Sequence, residues 1–213
     1  MSKASALSKF VTEVKGGDKA KLSISKTLEA IIESYCVSGE FDAWLEDHYA
    51  DAAKYLQPQH NAPRQGVFRA SAAGKCIQQQ CFKIVHEPET DVVTRPGRQN
   101  RALYNGTFSH ARWHMLFDAL HEKGIVITVA AEELRYDPAL ELSGTIDRVV
   151  ELVFNGKLVR VVIDFKTIKR QYFEALYGPQ ADHTQQQHAY DFFKWGADSW
   201  AMLYECKDSH DLK

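Results

Sequence analysis

The sequence predicts an α/β fold, with a mixed central β-sheet flanked by helices and a helical N-terminal extension. The pair Asn155-Gly156, the preferred two-residue loop of a type I′ hairpin, separates two apolar strands within 143–169. After residue 105 the apolar spacing alternates between helical and strand periods in the order α-β-β-β-α-α-β. A chain of 213 residues with 45% hydrophobic content is long enough for one substantial α/β domain with an appendage.

The N-terminal half reads as helices and connections. Helices are expected over 25–36 and 40–56, followed by a linker at 57–66 that contains two prolines and a glycine. A helix is expected over 70–86 with Ser71 as its N-cap, and then an irregular, basic loop over 87–101. We therefore expect residues 1–66 to form a helical extension and residues 67–213 to form the core.

The C-terminal half supplies the sheet. A helix over 107–123 is expected to end at Gly124, and a strand over 125–136 precedes the two strands of the hairpin. Helices are then expected over 170–177 and 181–195, separated by Gly178-Pro179, and 199–206 is expected to be the last strand.

The two-residue loop fixes the register of the hairpin. Glu151 then faces Arg160 as a cross-strand ion pair. The same register places Asp147 opposite Asp164, and Lys166 projects from the same face as Asp164. The opposite face is expected to be apolar and buried; it carries Ile146, Val150, Leu152, Val159, Val161, Ile163 and Phe165.

The opposed carboxylates of Asp147 and Asp164 predict chemistry at this end of the hairpin. At a separation of about 5 Å and an effective dielectric constant near 20, their repulsion is roughly 3 kcal/mol. A shared proton or a bound cation relieves it, and aspartate oxygens suit Mg²⁺ or Mn²⁺. The alternative is a solvated Asp-x-Lys at a strand end, without a role in chemistry.

Charge and composition restrict which binding partners and which cellular compartment we expect for the protein. The formal net charge is −2, yet residues 64–114 carry eight Lys and Arg against three Asp and Glu. This basic stretch is either a phosphate-binding surface or a solvated charged face. We find no apolar run long enough to span a membrane and no apolar signal core, so a cytoplasmic protein is expected. The four cysteines match neither a zinc pattern nor a disulfide framework.

Three histidines lie on one face of the predicted 107–123 helix. His110, His114 and His121 fall within about 40° of one another at 100° per residue. An i, i+4 histidine pair on a helix can bind zinc, although the glutamate that usually accompanies such a pair is missing here. An ordinary, partly exposed helix face is the alternative.

Four short motifs, taken in order, resemble the PD-(D/E)XK nuclease superfamily. They are Gly106-x-x-x-His110 on a helix, Gly144-x-x-Asp147, Asp164-x-Lys166 and Gln186-x-x-x-Tyr190. The best match is the RecB-type branch, which includes phage and CRISPR-associated exonucleases. The motifs span residues 106–190. The segment FRASAAGKC at 68–76 is similar to the helix that precedes the core in phage members. The resemblance implies a restriction-endonuclease-like core and a metal-dependent DNA exonuclease of replication, recombination or repair, in a bacterial or phage-infected cell.

The resemblance also implies roles for single residues. His110, Asp147, Asp164 and the main-chain carbonyl of Phe165 would be ligands of Mg²⁺ or Mn²⁺. Lys166 would be the catalytic lysine. Two residues that share a helix face, Gln186 and Tyr190, would line the site or touch the DNA backbone.

Further residues enter as supporting groups. Arg69 and Ser71, in the basic stretch, are candidates for binding a terminal phosphate of linear, single- or double-stranded DNA. His114, Glu132 and Glu133 are candidates for groups just behind the metal ligands. An iron–sulphur cluster is not expected, because only Cys206 lies near the C-terminus; Cys76 and Cys81 are expected in the core.

Two other functions remain open at this point. One is a structure-specific or restriction-like endonuclease on the same fold. The other is a binding module, in which the nuclease fold serves as a non-catalytic DNA adaptor. The sequence does not indicate the oligomeric state.

Overall fold

The computed structural model describes residues 23–56, 67–86, 97–191 and 193–213. The first helices are α1 (Ile24–Val37), α2 (Glu40–His48) and α3 (Ala52–Leu56), with a 3₁₀ turn at Tyr49–Asp51. Next come the short strand β1 (Phe68–Arg69), a 3₁₀ turn (Ala70–Ala72), α4 (Ile77–His86) and the long helix α5 (Gly97–Glu122). The remaining elements are β2 (Ile127–Asp137), β3 (Leu142–Phe154), β4 (Lys157–Ile168), α6 (Arg170–Glu174), α7 (Ala181–Asp191) and β5 (Ser199–Cys206).

The five strands form one mixed sheet. β3 is antiparallel to both β2 and β4, whereas β5 runs parallel to β4 and β1 runs parallel to the start of β3. Helices flank this sheet, and the helices α1–α3 precede it in the chain. The predicted α/β class, with a mixed sheet and an N-terminal helical region, is confirmed.

The hairpin register is the predicted one. The ladder between β3 and β4 starts at the Asn155-Gly156 turn, where both residues have positive φ as a type I′ turn requires. Glu151 pairs with Arg160, and their side chains form an ion pair at 2.6 Å.

The two hairpin strands separate at their far end. Their ladder ends one position before Asp147 and Asp164, at the pair formed by Arg148 and Ile163. Because β2 occupies one edge of β3, β1 pairs with Leu142–Ser143 on the edge that β4 has left. The separation opens a cleft at the end of the hairpin that carries the two aspartates.

Among the described residues, three apolar clusters pack on the sheet, and the two larger ones position the cleft. The first packs α1, α2 and α5 against residues of β3, β4 and β5, and it includes Leu28, Trp44, Phe117 and Phe165. The second contains side chains of β2–β4, Tyr190 of α7 and the residues that follow α7. Because α1 and α2 contribute to the first cluster, this part of the N-terminal helical region shares its core with the sheet.

The interior of β3 departs from simple alternation near the cleft. Ile146 packs in the second cluster, whereas Val150 packs in the first. The neighbouring strand is irregular here: its register shifts between Thr128 and Ala130, and Glu132 has a φ of 45°. The prediction that Ile146 and Val150 share one face is therefore wrong, because local strand distortion overrides the two-residue period.

Several predicted boundaries are also wrong. The 70–86 helix starts only at Ile77, because Gly74 has a φ of 83° and ends the preceding turn; Ser71 lies in that turn and caps no helix. Residues 97–101 of the expected basic loop are already helical in α5. The predicted helices over 170–177 and 181–195 end at Glu174 and Asp191.

Some expectations fall outside the described residues or concern single side chains. The linker at 57–66 and residues 87–96 of the basic loop lie outside the described part of the chain. Cys76 and Cys81 are exposed, so their predicted place in the core is wrong. Among the described helices, none is long and apolar enough to cross a membrane.

Candidate active site

A cleft of about 330 Å³ lies where β3 and β4 separate. Asp147, Asp164, Lys166, Gln186 and Tyr190 all line it. The first comes from β3, the next two from β4 and the last two from α7. Three of the four predicted motifs therefore meet in one depression of the surface.

Asp147 bridges the two separating strands. Its Oδ2 accepts a hydrogen bond of 2.7 Å from the main-chain N–H of Phe165. Burial raises the pKa of Asp147, although the charge of Lys166 and the Phe165 N–H oppose the shift. The hydrogen bond fixes the carboxylate beside the main chain of Phe165, the residue whose carbonyl the resemblance assigns to a metal.

Asp164 is the more deeply enclosed member of the Asp164-x-Lys166 motif. Its Oδ1 accepts a hydrogen bond of 3.2 Å from Gln186, and its Oδ2 lies 2.5 Å from Nζ of Lys166. That second contact lacks hydrogen-bond geometry, so Oδ2 is buried without an aligned donor among the described residues. Burial and the neighbouring Asp147 carboxylate raise the pKa of Asp164 to about 6.

Gln186 and Tyr190 form a rigid support behind Asp164. Nε2 of Gln186 donates to both Asp164 and the hydroxyl of Tyr190, the latter at 2.7 Å. The Tyr190 hydroxyl in turn donates to the carbonyl of Thr145 at 2.9 Å. Burial raises the pKa of Tyr190, so it serves as a neutral donor. In this structure the pair orients the carboxylate from within the protein.

Gly144 allows the elements around the cleft to approach one another. A Cβ added there would lie 2.9 Å from each of three atoms, in Ala70, Tyr190 and Phe193. The 3₁₀ turn that contains Ala70 carries Arg69 at its N-cap and Ser71 at its centre, and both residues line the cleft. Close packing therefore explains why a glycine stands at the first position of the Gly144-x-x-Asp147 motif.

The three histidines of α5 have different surroundings. Nδ1 of His110 lies 3.8 Å from Oδ1 of Asp147, and burial followed by the charge of Lys166 lowers the pKa of His110. His114 is fully buried one turn further on. His121 accepts a hydrogen bond of 3.3 Å from the N–H of Thr128 at the start of β2. Only His110 belongs to the site directly.

The two glutamates of β2 diverge. Oε1 of Glu132 lies 3.2 Å from Nε2 of His114, so Glu132 stands behind the site as the sequence suggested. Its positive φ turns the chain locally, at the strand position across from Asp147. Glu133 instead forms an ion pair of 2.9 Å with Arg135, which also donates to the carbonyl of Phe193.

Arg148 is a functional candidate that the sequence reasoning missed. It is fully buried and donates to Asp118, to Thr128 and to the carbonyl of His114. An arginine inside a run of Val and Ile was the signal available in the sequence, because a buried charge requires partners. These bonds fix α5 against β3 directly behind Asp147.

The N-terminal helices also reach the back of the site. The Tyr55 ring stacks on His114 with centroids 4.8 Å apart, and its hydroxyl donates to Asp118 at 2.5 Å. His114 in turn contacts the ring of Phe165 edge-on at 5.4 Å. A contiguous set of contacts thus joins α3 to the residue that hydrogen-bonds Asp147.

The donor set suits a hard divalent cation. Asp164 is buried and Asp147 is largely enclosed, and both carboxyl groups have raised pKa values. A divalent cation between them would stabilise their charged forms, in addition to the ion pair that Lys166 makes with Asp164. Within the described ranges, no group of three or more His, Cys, Asp or Glu side chains is already arranged around one metal position. The fit of a cation to this cleft therefore depends on Asp147 and Asp164, and His110 lies 3.8 Å from Asp147.

Comparison with known proteins adds one distant likeness. No family model matches the chain, and no curated protein matches it. A solved structure titled "Crystal structure of SSO0001" is similar at 12% identity, over 84% of this chain and 76% of that chain, with a TM-score of 0.38. A likeness at that TM-score does not extend to activity.

The sequence resemblance implies cleavage of DNA, and the histidine contacts lead to a prediction for that expected activity. His110→Ala should lower the cleavage rate by about 10–100-fold, because it removes a group beside Asp147. The matched control is His121→Ala, which should cleave at the wild-type rate because His121 contacts only the turn into β2. Rates are measured on linear DNA with Mg²⁺. An equal loss in both variants, together with bound zinc by metal analysis, would instead indicate a zinc site on this helix face.

Proposed function

We propose that this protein is a metal-dependent DNA nuclease of the PD-(D/E)XK type, acting as an exonuclease. The observation that carries the proposal is the meeting of Asp147, Asp164 and Lys166 in one cleft, backed by Gln186 and Tyr190. A solvated strand end would leave these carboxylates exposed, whereas here Asp164 is only 1% exposed. Burying one carboxylate and enclosing a second beside it is costly unless they perform chemistry or bind an ion.

Each residue has a role in phosphodiester hydrolysis. Asp147 and Asp164 would hold Mg²⁺ or Mn²⁺, with His110 and the main-chain carbonyl of Phe165 beside them. The bound ion would polarise the phosphoryl group and lower the pKa of the attacking water. We assign Lys166 to the developing charge on the phosphoryl oxygens rather than to the proton of the water, because it contacts a carboxylate. Water adds to phosphorus, the phosphorus–oxygen ester bond breaks, and the leaving oxygen acquires a proton.

The test uses end-labelled linear DNA and closed circular DNA of the same sequence. With Mg²⁺ or Mn²⁺ an exonuclease degrades the linear form from its ends and leaves the closed circle intact. EDTA abolishes the reaction, and Ca²⁺ permits binding with little turnover because its looser coordination positions the reactants less well. Labels at the 5′ and 3′ ends report the polarity.

The other outcomes have distinct meanings. Cleavage of the closed circle indicates an endonuclease on the same site. Binding of DNA without cleavage in any divalent metal indicates a DNA adaptor and contradicts the proposed activity.

The position of Arg69 yields a prediction about DNA ends. Arg69 and Ser71 line the cleft that holds the aspartates, and a guanidinium binds phosphate oxygens in a bidentate manner. Wild type should therefore prefer linear DNA with a 5′-phosphate over DNA with a 5′-hydroxyl. Arg69→Ala should lose that preference while keeping metal-dependent cleavage. An unchanged preference in the variant would indicate that Arg69 does not recognise the DNA end and contributes only to general binding of the DNA backbone.

A further inference from the structure

Helix α7 presents a third polar side chain toward the sheet, and the proposed chemistry has not yet used it. His183, Gln186 and Tyr190 lie three and four residues apart, so they share one face of the helix. Gln186 and Tyr190 support Asp164 and Thr145. His183, nearest the start of the helix, contacts Tyr204 of β5 instead.

Tyr204 holds the imidazole of His183 in one tautomer. The Tyr204 hydroxyl accepts a hydrogen bond of 3.1 Å from the N–H of Gln180, and it lies 2.8 Å from Nδ1 of His183. Burial raises the pKa of Tyr204 to about 12, so the hydroxyl keeps its proton. Among the described residues, Nδ1 of His183 is the acceptor within reach of the Tyr204 proton, so donation to Nδ1 satisfies both groups in the tautomer that our proposal uses. The neutral ring then carries its own proton on Nε2, which hydrogen-bonds to no other described residue.

The imidazole lies beside the lysine of the site. Tyr204 pairs with Lys166 across β4 and β5, so the two side chains are neighbours on one face of the sheet. Burial and then the charge of Lys166 lower the pKa of His183, which keeps the ring neutral at physiological pH. His183 thus contacts the tyrosine that pairs with Lys166, and it lies close enough to that lysine for its charge to influence the ring.

We propose that His183 binds the DNA backbone, donating from Nε2 to a non-bridging oxygen of a phosphodiester that Lys166 also contacts, with Tyr204 as the positioning residue that fixes its tautomer. This rests on the proposed nuclease function and extends the substrate site along α7. A fixed neutral donor suits this place, because it binds phosphate oxygens without adding a second positive charge beside Lys166.

Cleavage kinetics distinguish a hydrogen-bond donor at the position of Nε2 from a side chain that only fills space. Under single-turnover conditions on linear DNA with Mg²⁺, His183→Ala and His183→Asn should be slower by about 10–100-fold, the effect of losing a hydrogen bond to a charged group. His183→Gln should retain most of the rate, because its amide N–H₂ lies near the position of Nε2. His188→Ala, on the same helix with a side chain 73% exposed, is the matched control and should equal wild type. Equal rates in His183→Ala and wild type, or equal losses in His183→Ala and His183→Gln, would overturn the proposal.

Nitrogen NMR of the histidine rings tests the same inference without catalysis. In EDTA, wild type should show His183 with its proton on Nε2, and Tyr204→Phe should lose this preference. Adding a short single-stranded DNA in EDTA should shift the His183 resonances of wild type. A proton on Nδ1, or no shift with DNA, would overturn the role of His183. If wild type cleaves no DNA in any divalent metal, the proposed activity fails, and the NMR result still decides whether His183 binds the DNA backbone.

Discussion

Asp147→Asn and Asp164→Asn should each lower the rate of the proposed DNA cleavage by about 10³-fold or more, because each removes a carboxylate that would hold the proposed cation. Both carboxylates line the cleft, and the local groups oriented around them, Gln186 and the N–H of Phe165, would remain. The measurement is single-turnover cleavage of linear DNA with saturating Mg²⁺. Near wild-type rates in either variant would contradict the assignment of the active site.

The same two variants should not lose stability in EDTA above pH 6. Burial raises the folded-state pKa of both carboxyl groups, that of Asp164 to about 6, above the value of about 3.9 in the unfolded chain. A group with a raised pKa favours folding while it is protonated, and this contribution is lost as the pH rises through the folded-state pKa. Asn keeps the shape without the charge, so Asp164→Asn should gain on the order of 1–3 kcal/mol relative to wild type between pH 5 and pH 8. Asp147→Asn should change in the same direction. Thermal unfolding at several pH values measures this difference.

Glu133→Gln is the matched control for both measurements. Glu133 is an acidic residue of the neighbouring strand, but it pairs with Arg135 at 2.9 Å and does not line the cleft. The variant should cleave DNA at the wild-type rate. Its stability relative to wild type should not rise between pH 5 and pH 8. A loss of activity as large as that of the aspartate variants would indicate that any negative charge on this sheet matters.

Gly144→Ala should destabilise the fold by roughly 1–3 kcal/mol, because the added methyl group overpacks a site that is already full. The methyl carbon would lie 2.9 Å from atoms of Ala70, Tyr190 and Phe193. Moving Ala70 shifts the turn that carries Arg69, and moving Tyr190 disturbs the support of Asp164. We therefore expect a lower melting temperature and slower cleavage, measured by thermal unfolding and by the linear-DNA assay.

Gly106→Ala is the matched control on the other motif glycine. A Cβ at Gly106 meets no atom of the described residues within 4 Å, and Gly106 lies inside α5. Alanine in a helix interior stabilises by roughly 0.5–1 kcal/mol relative to glycine. The variant should therefore be as stable as wild type or slightly more so. If both glycine variants lost the same stability, close packing at Gly144 would not be the cause.

Local chemistry made much of the hairpin predictable from the sequence. The Asn155-Gly156 turn sets its own backbone conformation, and this fixes the strand register as far as Arg148 and Ile163 without help from the rest of the chain. The ion pair of Glu151 with Arg160 follows from that register. Asp147 and Asp164 lie one position beyond the last pair, where the strands separate. The periodicity of α1 predicted that helix for the same reason, since it buries one regular set of side chains, Leu28, Ile31, Ile32 and Tyr35.

Contacts between distant segments decided the rest. The helix periodicity grouped His110, His114 and His121 on one face, but their roles depend on which strands lie against α5: Asp147 of β3, Glu132 of β2 and the turn before β2. The exposure of Cys76 and Cys81, and the shift of Ile146 to the second cluster, likewise depend on packing that no local pattern encodes.

The sequence by itself determined the α/β class, the hairpin register and the candidate pair of aspartates with its lysine, because turn chemistry and apolar period act within a few residues. Only the tertiary structure decided that β3 and β4 separate beyond Arg148. It also decided that the turn at Ala70 and helix α7 pack closely against Gly144 beside the cleft. It also decided that Arg148 is buried against Asp118, and that His183 meets Tyr204 beside Lys166. These contacts join residues far apart in the chain, and their energies depend on burial and orientation that only the assembled fold supplies.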